Sequence, residues 1–68
     1  MTEKQAMRWA SKRARDTRDE RYVVYEPGYP NDPNGYHVAS AFDLDTFFFG
    51  LEPIAAFDLG GNYIFNGS

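Results

Sequence analysis

Ala6, Ala10 and Ala14 recur every four residues within a run dominated by Lys, Arg, Gln and Met. That spacing puts one narrow apolar stripe on one side of an α-helix. The pattern predicts a helix over residues 2–19. Thr2 stands where an N-cap is needed, and Gln5 three residues on completes a capping box. Ala, Met, Lys, Arg and Gln are strong helix formers. A stripe of alanines lets a helix backbone approach a sheet closely, with Met7 and Trp9 expected to add bulk. Lys4, Arg8, Lys12 and Arg15 fall on another, solvated face.

The period then changes. Residues 21–26 (Arg-Tyr-Val-Val-Tyr-Glu) are β-branched and aromatic and predict a strand, which Pro27-Gly28 ends. Residues 29–35 are dense in turn formers and close on Asn34-Gly35, a strong tight-turn signal. Residues 36–42 predict the return strand, with Tyr36, Val38, Ser40 and Phe42 on one face. Residues 43–50 admit two readings. Asp43 or Asp45 caps a short helix through Thr46–Phe49 that stops at Gly50, or the run is β-rich; the helical reading is preferred. Residues 53–58 predict a strand, 59–62 a turn, and 63–65 a strand pairing back. The fold expected is α+β. An N-terminal amphipathic helix packs on a four-stranded, mainly antiparallel sheet, with a short helix between two hairpins. Residues 1–68 form one domain, helical over 2–19 and β-rich over 21–65. One helix on one sheet face leaves the other face open, as antiparallel sheets permit.

Length limits what this core can do. A chain of 68 residues buries only about 60% of the surface its unfolded form exposes. It contains no cysteine to staple it, which favours a reducing compartment. Residues 1–21 lack the apolar stretch of a signal peptide, and no run approaches the ~20 apolar residues of a membrane span. The expected setting is cytoplasmic, away from membranes.

Charge divides the chain. All seven Lys and Arg lie in residues 1–21 with four acids, a net of +3. Residues 22–68 hold six acids and no Lys or Arg, a net of −6. Eleven of the twelve aromatic residues lie between Tyr22 and Phe65. Asymmetry of this kind points to electrostatic partners.

Catalytic chemistry finds no foothold. His37 is the single histidine, set mid-strand, and no serine carries a nucleophile motif. Asp43 and Asp45, with Asp58, offer hard oxygen ligands, but helix capping accounts for such acids more simply. The Asp32–Gly35 stretch lacks the later glutamate of a calcium loop. Gly60-Gly61 matches no phosphate-binding glycine motif. The chain is therefore expected to be non-enzymatic, with no cofactor and no metal.

Surface remains. Arg8, Lys12 and Arg15 are able to track a phosphate backbone, although Asp16, Asp19 and Glu20 interrupt them. Phe47, Phe48 and Phe49 are consecutive and cannot all face one core. Tyr25, Tyr29, Tyr36 and Tyr63 also need places, so part of the aromatic surface is expected to be exposed and to mark an interaction site.

This short, cysteine-free, acidic chain, with its aromatic and cation-free residues 22–68, resembles in general character the small phage-encoded inhibitor proteins, anti-CRISPRs among them. The resemblance implies a stoichiometric blocker of a nucleic-acid-handling complex. Glu26, Asp32, Asp43, Asp45, Glu52 and Asp58 would occupy a basic groove meant for phosphates, with Tyr29 and Phe48 adding affinity. The seven cations in residues 1–21 depart from a purely acidic mimic and suggest a docking surface of both signs. The expectation is a protein-binding inhibitor or adaptor. The alternatives are a self-associating accessory domain, with a homodimer through the spare Phe surface, and a small nucleic-acid binder using the basic helix.

Overall fold

The computed structural model describes residues 1–28 and 34–65. Helix α1 runs Glu3–Thr17. Thr2 caps it: the Thr2 hydroxyl accepts from the Gln5 amide at 3.2 Å, and the Gln5 side chain accepts from the Thr2 amide at 2.9 Å. The helix ends two residues earlier than the composition predicts. Arg18 turns left-handed (φ 53°) and its amide closes on the Ala14 carbonyl.

Four strands follow: β1 Arg21–Tyr25, β2 Tyr36–Ala39, β3 Ala55–Phe57 and β4 Tyr63–Phe65. They form one sheet in the order β2-β1-β3-β4, with every neighbouring pair antiparallel. β1 is central. Val23 lies opposite Val38 on one side and Ala55 on the other. A register irregularity at Ala56 and Phe57 interrupts the β3–β4 ladder.

Strand alternation sorts the side chains into two layers. Val23, Ala55 and Phe57 pack with Ala6, Ala10 and Ala14 in the core beneath α1, with Met7, Tyr36, Val38 and Ile54 around it. The predicted alanine stripe is therefore the helix face that meets the sheet. Trp9 is not part of it. One residue from Ala10 is about 100° around a helix, and Trp9 stands 45% exposed. The bulk at this interface comes from Met7 and from the sheet.

The opposite sheet face is covered rather than open. Val24, Ala39 and Ala56, which alternate with the first set, are buried as well. The connection from β2 to β3 accounts for this. Because β1 lies between those two strands, residues 40–54 must cross it. Helix α2, Ala41–Asp45, packs against β2 within that crossover. The Phe48 ring stacks on His37 with centroids 5.4 Å apart.

Local chemistry explains why β2 stops at Ala39 and not at Phe42. The Ser40 hydroxyl accepts from the Asp43 amide at 3.2 Å, and the Asp43 carboxylate accepts from the Ser40 amide at 3.1 Å. This capping box turns the chain into α2 one residue after β2. Ser40 and Phe42 therefore do not continue the Tyr36–Val38 face. The short helix exists, but over 41–45 and capped by Ser40; residues 46–50 form turns. β3 is shorter than predicted: Pro53 and Ile54 still belong to the crossover, and Asp58 belongs to the following turn.

That turn is pinned to α1. The Ser11 hydroxyl donates to the Gly61 carbonyl at 2.7 Å. Gly61 has φ +82°, and a β-carbon there would lie 2.8 Å from the Ser11 carbonyl oxygen. Among the described residues, no helix is long and apolar enough to cross a membrane.

Candidate functional site

Among the described residues, the most exposed aromatic side chains lie on the crossover. The Ser40–Asp43 cap sets α2 so that Phe42 points away from the sheet. The turns after α2, closed by the Phe48 amide on the Asp43 carbonyl (2.8 Å) and the Leu51 amide on the Phe48 carbonyl (3.0 Å), split the three phenylalanines. Phe48 goes inward to His37 and is half-buried, while Phe42, Phe47 and Phe49 are 69%, 74% and 81% exposed. Phe48, one of the expected partner contacts, is held against His37 in the segment that presents its two neighbours.

Asp45 and Glu52 are exposed on the same segment. Asp43 is half-buried in the cap. Asp58 is also engaged internally: one carboxylate oxygen accepts the Gly60 and Asn62 amides, each at 2.9 Å. The Asn62 amide foremost, with the Gly60 amide and the Asn62 side chain, holds the Asp58 carboxyl below its ordinary range; burial opposes them more strongly than the Gly60 amide alone helps. Glu26 sits at the root of the β1–β2 loop, its amide on the Gly35 carbonyl at 2.7 Å and its carbonyl accepting from His37 Nε2 at 3.1 Å. Tyr29 and Asp32 lie outside the described residues. Of the expected acidic set, Asp45 and Glu52 are exposed on the same segment as the exposed aromatics. Phe42, not singled out from the sequence, joins them. Its signal was the Ser40-x-x-Asp43 box, which lifts it off the strand.

A second surface lies on the side of α1 turned away from the sheet. Met1, Gln5, Arg8, Trp9 and Lys12 line an open groove of about 470 Å³. The Lys12 ammonium lies 5.5 Å and the Arg13 guanidinium 5.9 Å from the Trp9 ring centroid. Arg8 and Lys12 both line this groove. Arg15 is not in this lining and lies 3.8 Å from Asp16.

A third feature is a recess of about 380 Å³ between α1 and the sheet, lined by Glu3, Met7, Tyr25, Tyr36, Ile54 and Tyr63. Burial first, and then the Glu3 charge, raise the Tyr36 phenol above its ordinary pKa. His37 is committed to the Glu26 carbonyl and to Phe48, and Ser11 to Gly61. Among the described residues, no three His, Asp or Glu side chains converge as a metal site.

No protein family, curated protein or solved structure matches this chain.

Proposed function

We propose that this chain is a non-enzymatic protein-binding inhibitor or adaptor that docks through its crossover segment. The observation that carries the reading is the outward display of Phe42, Phe47 and Phe49 on a stretch with no Lys or Arg. A protein this small gains from burying large side chains, and three exposed phenylalanines on one segment represent surface that a partner would cover. Asp45 and Glu52 beside them favour a partner with an apolar groove edged by Lys and Arg. A protein that handles nucleic acid offers such a groove, and the chain then acts by occupying it.

In this arrangement the two kinds of side chain do different work. Exposed charges steer encounter and select the partner, whereas buried aromatics set the lifetime of the complex. The test is affinity capture from the native host with wild-type and variant baits. One protein should be retained at 1:1 by the wild type. Phe47→Ser with Phe49→Ser should weaken it by roughly tenfold or more, and Asp45→Lys should slow its association. Excess wild-type chain should displace nucleic acid from the captured protein. Retention unchanged by the phenylalanine substitutions would refute the reading.

A further inference from the structure

The two surfaces are complementary to each other. One is a groove lined by Trp9, Arg8 and Lys12, with the Arg13 guanidinium 5.9 Å from the Trp9 ring centroid. The other is the crossover strip, residues 42–52, which exposes Phe42, Phe47 and Phe49 together with Asp45 and Glu52. Each surface lacks what the other supplies. The groove is apolar and cationic without an acidic lining residue; the strip is apolar and anionic in a region without cations. Aromatic pairing and opposite charge both favour their contact.

Their placement separates them. Ala6, Ala10 and Ala14 face the sheet, so Arg8 and Lys12 lie on the outer side of α1 and Trp9 on its flank. The crossover covers the opposite sheet face. The groove therefore belongs to the α1 side of the sheet and the strip to the other side, and a chain cannot fold its own strip into its own groove.

We infer that this chain self-associates head to tail, the Phe42–Phe47–Phe49 strip of one copy seated in the Trp9 groove of the next. Such a contact is heterologous and leaves a free groove at one end and a free strip at the other, so assembly grows with concentration unless it closes as a ring. Self-association would also mask the surface assigned above to a foreign partner. The inference shares that surface but not that partner, and a groove variant separates the two: Trp9→Ser should abolish self-association while leaving foreign capture intact.

Trp9 is the chain's single tryptophan, so its emission reports on the groove directly. The experiment is sedimentation velocity at low salt over a wide concentration range, with tryptophan fluorescence in parallel and circular dichroism to check folding. For the wild type, mass should rise past two chains and the emission should shift to the blue. Trp9→Ser and the double variant Phe47→Ser/Phe49→Ser should each remain monomeric. Mixed in equal amounts, these two variants should form a heterodimer and stop there, because only one intact groove and one intact strip remain between them. Lys12→Glu should weaken association roughly two- to fivefold, and added salt should weaken it further.

A wild type that stays monomeric throughout would overturn the inference. So would variants that do not complement each other, or a closed dimer lost with Phe47→Ser/Phe49→Ser and unaffected by Trp9→Ser. Quenching of Trp9 by a single-stranded oligonucleotide, without any rise in the wild-type mass, would assign the groove to nucleic acid instead.

Discussion

At Gly61 a single hydrogen atom in place of a methyl group joins helix to sheet. The residue needs φ +82° and has no room for a β-carbon against Ser11. Gly61→Ala is therefore expected to destabilise the fold by more than about 1 kcal/mol, read as a lower urea midpoint. Asp58, in the same turn, links stability to pH. Its folded pKa lies below the ordinary 3.8 because the Asn62 and Gly60 amides favour the carboxylate. The stabilisation is complete above that ordinary value and is lost as pH falls through the folded one. The stability gap between wild type and Asp58→Ala should accordingly hold from neutral pH down to the ordinary 3.8 and narrow only below it. Tyr22 behaves in the opposite sense. A hydrogen bond to Glu20, then burial, push its phenol up to about 12. Its contribution is whole below pH 10 and fades as pH rises toward 12. Phenolate absorbance should show one tyrosine titrating near pH 12, and Tyr22→Phe should remove that step.

Among the elements, α1 and the crossover contrast in how they are specified. α1 was legible because its cap, helix formers and alanine stripe all point the same way. Its close seat on the sheet leaves no spare volume at Ala10, which is fully buried. Ala10→Leu should cost roughly 1–3 kcal/mol by overpacking, measurable by denaturant unfolding. The crossover was legible only as a short helix of uncertain position. Three consecutive phenylalanines give no local signal as to which one turns inward. That choice belongs to His37, whose place on the second sheet face depends on strand pairing. The box that starts α2 is local, and Ser40→Ala should cost about 1 kcal/mol. Faster amide exchange confined to residues 41–51 would mark the damage as that of the crossover.

At the scale of the molecule, charge counting identified the polarity of the chain but not its available charges. Asp43 and Asp58 are used in a cap and a turn, so the acids free to meet a partner are fewer than composition implies. Covering of the second sheet face was likewise invisible, because it depends on the strand order β2-β1-β3-β4. Asp45→Lys with Glu52→Lys should leave the unfolding midpoint nearly unchanged, within about 0.5 kcal/mol. The same pair should slow partner association and flatten its dependence on salt.

The central position of β1 also bears on how the chain is made. Synthesis runs from α1 toward β4, so β1 leaves the ribosome early with both edges unpaired. β2 follows soon, but Ala55 trails Tyr25 by roughly thirty residues, a delay of a few seconds at about 5–20 residues per second. Until β3 emerges, one edge of the central strand has no native neighbour. The nascent protein is most vulnerable to pairing with other chains during that interval.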